Sequence, residues 1–570
     1  MRVQFNLFII FCLFTACKNV DSIEKADMIL VNGTIMTMDR DHPNVQSVAI
    51  KDGIFLATGK DDAMIKKYLG DSTKVIDLNG RFAMPGLIEG HGHFISMGRG
   101  LSQLNLLHTH SWEEIVDSVR QRVTKLKPGT WIFGRGWHQE KWDHLPLNTY
   151  FGYPDHRDLS AVSPDNPVLL LHASGHALFA NKKAMEIAGI SRETPDPEGG
   201  VILRFEEGSP IGVFEENAMS SIRQSFNHFI QSKSDSEKNE TFIRAMERAS
   251  SNCLKWGITS FQDAGTTPEE LELLSKYSDH LGVRLNVMLL GLPHELRRYL
   301  NKNRLKDFDE MLSCRAIKAY LDGALGSYGA WMLASYSDKP EYFGQNTTPI
   351  DTLESLAKIA AKNHLQFCVH AIGDRANREV LDLIQRMRDN SSLYPDHRWR
   401  IEHAQHIDTA DIPRFAQLGV IASMQPIHCT SDAPFVIKRL DSTRAALSAY
   451  PWRALLDHKA RMAIGTDVPV EEINPFVNMY AALTRKRRDN GMSLFPEQAM
   501  TRDEILHGYT IWNAYAAREE DLKGSISPGK YADIIILSKN LQKCKTEEIP
   551  NTRLIYSILG GKVVYASKKN

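Results

Sequence analysis

Residues 83–93, AMPGLIEGHGH, set a pattern that recurs along the chain. An apolar run is followed at once by two histidines, His91 and His93, with one glycine between them. Near-continuous apolar runs are typical of strands that are buried on both faces of a parallel sheet. The stretch therefore predicts a buried strand over 83–89 that ends in residues able to bind a ligand.

Seven further runs of the same kind follow, each ending in polar residues, at 257–262, 284–290, 316–321, 366–370, 398–403, 419–424 and 461–465. Helical patterns lie between several of them, for example at 353–363 and 377–388. A strand and a helix repeated eight times form a (β/α)₈ barrel. The sequence thus predicts an α/β fold built on a TIM barrel.

The spacing of the runs predicts an insertion. One barrel unit takes roughly 30 residues, and the gap between the first and second strands is far longer. We place the insertion after barrel strand one, at about 105–235.

Both ends of the chain carry short strand-like pieces separated by hairpin signals such as Asn32-Gly33 and Asp52-Gly53. They predict a small β-sandwich domain formed by both termini. Its predicted parts are residues 22–82 and 524–570, and the predicted barrel domain is 83–523.

Composition narrows the classes of partner. The 570-residue chain is 42% hydrophobic and 24% charged, with a formal net charge of -1. Such a balance does not indicate nucleic acid or an anionic membrane surface as a partner. A small molecule is the expected partner, and the sequence leaves open whether the chain forms a homodimer.

The first residues are typical of an export signal. Arg2 precedes an apolar run over 5–14, and residues 13–17, LFTAC, are similar to a bacterial lipobox. We therefore expect a signal segment over 1–17, lipidation at Cys17, and a protein anchored by lipid in the bacterial cell envelope. A plain secretory signal is the alternative. The five cysteines after it are scattered, which favours buried thiols over disulfides.

Residues that finish the predicted strands are the candidates for chemistry, because active sites of TIM barrels lie at the carboxyl ends of the strands. His91 and His93 lie two apart, so in an extended segment both point to one face. Taken alone this pair is weak evidence, since His108 and His110 repeat the spacing without a preceding strand. The full set gathers histidine, lysine and aspartate at one end of five strands: His91, His93, Lys318, His370, His403 and Asp467. Nitrogen and oxygen ligands of this kind suit zinc, and manganese or iron would also fit.

Lys318 is the most informative member of the set. It lies within an apolar strand, where a charged amine is costly to bury. Its aliphatic chain could extend along the strand so that the charged amine reaches solvent at the strand end. Alternatively, a neutral amine could react with carbon dioxide to give an anionic carbamate that bridges two metal ions.

Several segments resemble the metal-dependent amidohydrolase superfamily, in particular its YtcJ-like branch, often called amidohydrolase family 3. The matching segments are 85–93, 135–137, 174–177, 318 with 322–327, 370–376, 401–403, 425–426, 465–467 and 523–533. Thr466, Tyr328 and Gly329 depart from the residues common in that branch.

The resemblance implies a mechanism. His91 and His93 would hold one divalent ion, His370 and His403 would hold a second or share the first, and a carbamate on Lys318 would bridge. Asp467 would bind metal and carry the proton during hydrolysis of a C–N bond in an amide, N-formyl compound or cyclic amide. The insertion is expected to close over the metal, with His176 as the predicted substrate contact. A structural hydrogen bond from His176 to Asn181 or to the backbone is the alternative. His138, His406, Asp322 and Asp374 are expected to support the ligands or to cap loops.

Two other functions stay open from the sequence. A deaminase or an ester hydrolase could use the same barrel, although Lys318 disfavours a mononuclear deaminase. A non-catalytic binding protein anchored at the surface could keep the fold, although the intact ligand set argues against it.

Overall fold

Eight parallel strands form one sheet in the computed structural model, which describes residues 24–61, 63–107, 109–139, 142–172, 177–302 and 309–567. Each strand pairs in parallel with the next one along the chain. The strands are β1 Leu87–Gly92, β2 Ile258–Thr266, β3 Arg284–Leu290, β4 Leu312–Tyr320, β5 Gln366–Ala371, β6 Arg400–His403, β7 Ile421–Met424 and β8 Arg461–Ile464.

Helices follow these strands and cover the sheet. Those after β1 to β6 are Phe94–Gly100, Pro268–Lys276, Pro293–Lys302, Ile350–Lys362, Asp374–Asp389 and Ile412–Leu418. After β7 come Pro426–Leu440, Ser442–Ser448 and Trp452–Asp457, and after β8 come Pro475–Thr484, Arg502–His507 and Asn513–Ala516. Such a ring of helices around parallel strands is the TIM barrel.

The side chain of Asn513 helps to join β1 to β8 and so close the barrel. Its Nδ2 donates to the carbonyl oxygens of Ile88 at 2.6 Å and Ile464 at 2.7 Å, and its Oδ1 accepts from the Ile464 N–H at 2.8 Å. Gly90 permits this approach, because a Cβ there would lie 2.5 Å from the Ile464 carbonyl oxygen. Beyond the strands, the Asp467 N–H donates to the His91 carbonyl at 2.8 Å.

Asn513→Leu is expected to destabilise the protein strongly. The change would leave buried backbone groups of both edge strands unpaired, at about 1–3 kcal/mol each, so we expect a loss of about 3 kcal/mol or more. Denaturant unfolding measures this loss, with Asn490→Ala in an exposed loop as the control. A loss no larger than that of the control would show that Asn513 does not hold the barrel closed.

The small domain is a sandwich of two sheets made from both ends of the chain. One sheet has the strand order Ile54–Gly59, Ser47–Lys51, Met28–Val31, Lys74–Asp77, and the other has Lys562–Ala566, Leu554–Leu559, Ile534–Leu537, Phe82–Pro85, Thr34–Met36, Asn44–Val45. Leu30, Val48, Phe55, Ile534 and Ile558 meet in a shared apolar core.

The apolar run predicted as one strand over 83–89 is two strands, so that prediction is corrected. Phe82–Pro85 pairs with Ile534–Leu537 in the small domain, and the barrel strand begins only at Leu87. The change of sheet falls at Gly86, where a Cβ would lie 2.1 Å from the Thr259 hydroxyl oxygen. Only glycine fits this close approach.

The segment between β1 and β2 contains a sheet of its own. Its strand order is Gly200–Arg204, Pro210–Glu216, Ala177–Ala180, Val168–His172, Ile132–Trp137, Leu104–Asn105. Helices Trp112–Val123, Arg157–Val162, Lys182–Ile187 and Met219–Ser232 accompany this sheet, and Asp235–Lys255 leads back to β2. Ser234 and Glu237 form a capping box that fixes the start of that last helix.

The predicted fold class is confirmed: an α/β protein with a TIM barrel, a small sandwich from both termini and an insertion after barrel strand one. Across the described ranges, no helix has the length and apolar character that crossing a membrane requires. Cys253, Cys314, Cys368 and Cys429 are buried free thiols, and Cys544 is a partly exposed one. The predicted signal segment and Cys17 lie outside the described residues.

Candidate metal centre

His91, His93 and Asp467 meet at the carboxyl end of the barrel. The Nε2 atoms of His91 and His93 lie 3.6 Å and 3.2 Å from Asp467 Oδ1. These three side chains could hold one metal ion, because their ligand atoms all lie within 4.8 Å of one another. The barrel closure brings the end of β1 beside the residues that follow β8, and so creates this group.

His403 and His370 join the same cluster from β6 and β5. The His403 ring centroid lies 4.8 Å from that of His91 and 4.4 Å from that of His370. The register places Ala371 opposite His403, so the ends of the two strands are level. The structure therefore brings the four predicted histidines and Asp467 to one end of the barrel.

Lys318 is fully buried on β4 and has no hydrogen-bond partner among the described residues. Its Nζ lies 5.0 Å from the centre of the Tyr320 ring. Burial lowers the pKa of the amine, and the nearby carboxylates of Glu402 and Asp467 oppose this only in part. A lowered pKa favours the neutral amine, which is the form that reacts with carbon dioxide.

Four buried polar atoms of the cluster lack a hydrogen-bond partner within the described part of the chain: His91 Nε2, His370 Nε2, Lys318 Nζ and Asp467 Oδ1. Burying such groups without a partner costs free energy, and most buried polar atoms are therefore paired. Burial lowers the pKa of His91 to about 4 and that of His370 to about 3, so both imidazoles are neutral. Neutral imidazoles and a carboxylate are the donors that a divalent metal requires, and the residues present fit such an ion.

Glu402 orients His91, a role that the sequence did not reveal. His91 Nδ1 donates to Glu402 Oε2 at 2.5 Å, which leaves Nε2 with its lone pair directed at the site. Arg400 Nη2 donates to the same carboxylate oxygen at 3.0 Å. Burial alone would raise the pKa of Glu402, but the charge of Arg400 and the contact with His91 hold it well below its usual range. Glu402 therefore stays ionised inside the barrel.

Glu402→Gln is expected to lower metal affinity by about 10–100-fold, the usual cost of losing an outer partner of a ligating histidine. The amide keeps the shape of the side chain but removes the negative charge that holds the His91 N–H. Competition against a chelating dye measures the Kd. Ser423→Ala is the control, since it removes another contact of Arg400, 2.8 Å long, and leaves His91 untouched. Equal affinities in the two variants would contradict the role of Glu402.

His428 is a second residue that the sequence analysis missed. It lies on the helix Pro426–Leu440, with Nε2 3.3 Å from Asp467 Oδ2 and Nδ1 3.5 Å from Glu471 Oε1. Burial would lower its pKa, but the bonds to the two carboxylates outweigh this and raise it to about 10. His428 stands one turn inside a helix rather than at a strand end, so a search of strand ends could not find it.

The backbone at the site takes unusual conformations. His403, Ala404 and Asp467 have φ values of +75°, +46° and +61°. This left-handed region is disfavoured for residues with a Cβ, and such strain is kept where the surrounding structure requires it. Here it occurs at His403, the last residue of β6, and at Asp467, three residues after β8, two side chains that belong to the cluster.

The other predicted site residues have structural contacts. Asp322 accepts from the backbone N–H groups of Trp331, Ile372 and Gly373, and so ties the loop after β4 to the end of β5. Asp374 accepts from the Leu333 N–H at 2.7 Å. His406 is buried against Tyr450, with ring centroids 5.5 Å apart.

The predicted residues of the insertion are only partly covered by the structure. The ring of His138 packs on that of His172, with centroids 4.5 Å apart. His110 is mostly exposed and faces Asp143 at 4.0 Å, and it belongs to neither group of described residues that could hold a metal ion. His108 and His176, the predicted substrate contact, lie outside the described residues.

A cavity of about 570 Å³ opens beside the site. It lies between the helices Pro293–Lys302 and Ile350–Lys362, and Lys318 and Tyr320 form part of its wall. Glu269, Glu272, Glu295 and Arg298 also line it. Its volume is within the range of small-molecule sites in proteins.

Comparison with known proteins agrees with this geometry. Residues 74–565 match the model of the amidohydrolase family. A solved structure of an uncharacterized metal-dependent hydrolase from Pyrococcus furiosus superposes with a TM-score of 0.73 at 26% identity, covering 90% of this chain and 100% of that one. The chain therefore belongs to the amidohydrolase family, and is a metal-dependent hydrolase that acts on carbon–nitrogen bonds.

Three curated relatives match over nearly the whole chain. Protein LONG AFTER FAR-RED 3 of Arabidopsis thaliana is 33% identical, with 95% of this chain and 92% of that protein covered. Putative amidohydrolase YtcJ of Bacillus subtilis is 29% identical, with 94% and 98% covered. N-substituted formamide deformylase of Arthrobacter pascens is 25% identical, with 95% and 99% covered. The resemblance to the YtcJ-like branch is confirmed.

Proposed function

We propose that the protein hydrolyses the C–N bond of a small amide, N-formyl compound or cyclic amide at a centre that holds one or two divalent ions. The observation that carries the proposal is a set of four buried ligand atoms that have no hydrogen-bond partner among the described residues, namely His91 Nε2, His370 Nε2, Lys318 Nζ and Asp467 Oδ1. Zinc is the favoured metal, because imidazole nitrogens and carboxylate oxygens are its usual ligands. The Arthrobacter relative, named for deformylation of N-substituted formamides, supports this substrate class.

The proposal assigns the ligands as follows. His91, His93 and Asp467 would hold one ion, and His370 and His403 would contribute to a second or complete the first. The amine of Lys318 adds to carbon dioxide, forming an N–C bond and releasing one proton, and the resulting carbamate supplies two anionic oxygens. The buried, unpartnered position of Lys318 Nζ supports this step, because a neutral amine is the nucleophile it needs.

A bound divalent ion would lower the pKa of water from 15.7 towards about 7 and polarise the substrate carbonyl. Asp467 takes the proton from the attacking water while the oxygen adds to the carbonyl carbon. The same carboxyl group then gives the proton to the nitrogen as the C–N bond breaks. His93 Nε2 lies 3.2 Å from Asp467 Oδ1 and His428 Nε2 lies 3.3 Å from Oδ2, so each oxygen of this carboxylate faces an imidazole of the cluster.

The test combines metal analysis with a substrate panel. Protein stripped by a chelator and reloaded with zinc, manganese or iron is assayed on N-acyl, N-formyl and cyclic amides, with aryl esters and aminopurines as the alternatives. Turnover of an amide that depends on reloading is the expected result. Turnover confined to esters or to ring amines would replace the proposed substrate class by an ester hydrolase or a deaminase.

We also propose that the protein is exported and anchored by lipid at Cys17, as the LFTAC stretch at 13–17 indicates. Expression with radiolabelled palmitate should label the wild type and leave Cys17→Ser unlabelled. Release of soluble protein after signal cleavage in both forms would support a plain secretory signal.

A further inference from the structure

Asp467 presents its two carboxylate oxygens to two different sets of histidines. Oδ1 faces His91 and His93, and Oδ2 faces His428. His403, His428 and Asp467 form a second triad whose ligand atoms lie within 4.8 Å of one another. All three residues of this second triad are buried.

We infer that His403, His428 and Asp467 form a second divalent-cation site, in which His428 is a ligand and Asp467 bridges to the ion held by His91 and His93. This inference deepens the proposed function and rests on it. It adds a residue from the helix after β7 to a ligand set that the sequence motifs confine to β1, β4, β5, β6 and β8.

The distances fit coordination. Zinc bound tetrahedrally at 2.0–2.1 Å has ligand atoms about 3.3 Å apart. Asp467 Oδ1 lies 3.2 Å from His93 Nε2, and Asp467 Oδ2 lies 3.3 Å from His428 Nε2. Two oxygens of one carboxylate can also serve two ions about 3.5–4 Å apart, as in paired metal sites.

The surroundings of His428 also suit a cation. Glu471 Oε1 lies 3.5 Å from the other ring nitrogen, Nδ1, and can receive its proton. An entering cation would bind Nε2, the atom beside Asp467, in place of its proton, because metal binding displaces protons from its ligands. The outer carboxylate would keep the proton on Nδ1, as it does for many ligating histidines. Ser431 donates to Glu471 and so fixes that carboxylate against the same helix.

The second ligand of the triad is held in a similar way. His403 Nδ1 donates to Gln425 Oε1 at 2.9 Å, so its Nε2 keeps a lone pair for a ligand. Gln425 immediately precedes the helix that carries His428. One short segment after β7 therefore orients His403 and supplies His428.

The simplest alternative is that His428 only donates a hydrogen bond to Asp467. His428→Gln separates the two roles, because its amide can still donate to Oδ2 but is a poor zinc ligand. His406→Gln is the matched control, a buried histidine in the same end of the barrel that belongs to neither triad.

The first readout is the number of zinc ions per chain in zinc-loaded protein, measured by elemental mass spectrometry. We expect about two ions per chain in the wild type and in His406→Gln, and about one in His428→Gln. Manganese-loaded wild type should show the electron paramagnetic resonance of coupled ions, and His428→Gln should show isolated ions. One ion in the wild type with amide turnover would overturn the second site and leave the proposed function standing, whereas a wild type that binds no metal would overturn both.

His428→Cys tests the same site independently, in case His428→Gln loses metal only because it fails to fold. Its thiolate should bind cobalt at this position and add a sulfur-to-metal charge-transfer band in the near ultraviolet, which the cobalt-loaded wild type lacks. Retention of both ions by a folded His428→Gln, or absence of the band in a folded His428→Cys, would overturn the inference.

Discussion

Lys318→Ala is expected to abolish metal-dependent turnover while the barrel stays folded. The side chain has no hydrogen bond or ion pair among the described residues, so its removal breaks no polar contact that holds the fold. It would, however, remove the carbamate proposed to hold the ions. Losing an outer partner of a ligand costs up to about 100-fold in affinity or activity, and we expect the loss of a ligand itself to exceed that in kcat/KM. Metal content per chain and kcat/KM on the amide found by the substrate panel are the two measurements.

Two comparisons make this result specific. Lys523 is also buried, but its Nζ lies 2.5 Å from Glu519, so Lys523→Ala should lower the free energy of unfolding and leave metal content unchanged. Short carboxylates such as acetate or propionate should restore part of the activity of Lys318→Ala, because they return an anionic group to the space that the side chain leaves. Full metal content and full activity in Lys318→Ala would refute the carbamate.

The barrel could be predicted because each strand leaves a local signal. An apolar run ended by polar residues marks β1 to β8 one at a time, and parallel pairing of neighbours follows from the alternation with helices. The boundary at Gly86 could not be predicted in this way. Residues 82–88 form one unbroken apolar run, and what divides it is the pairing of Phe82–Pro85 with a strand more than four hundred residues away.

The residues of the metal centre divide in the same way, into those that a local sequence pattern marks and those that depend on distant contacts. His91, His370, His403 and Asp467 were found because they end strands, and all strands of a barrel end at one side. Glu402 and His428 were not found, because their roles depend on contacts between distant segments. Glu402 reaches His91 across the barrel, and His428 reaches Asp467 from a helix.

Asp467→Asn is expected to lower kcat by about 10²–10⁴-fold, the range contributed by a positioned acid or base. The amide oxygen can still contact a bound metal ion, but the amide group cannot carry a proton between water and nitrogen. The loss should therefore depend on the leaving group. Anilides with electron-withdrawing substituents, whose nitrogen needs little protonation, should lose less rate than alkyl amides do.

The measurement is kcat for a series of anilides against the pKa of the leaving amine, in wild type and Asp467→Asn. A steeper dependence in the variant is the expected outcome, with metal content measured in parallel so that loss of the ion is not mistaken for loss of proton transfer. Asp322→Asn is the control, because that carboxylate is buried at the same end of the barrel but accepts from three backbone N–H groups. A uniform loss for every leaving group, with the ions retained, would show that Asp467 acts on the metal alone and that another group protonates the departing nitrogen.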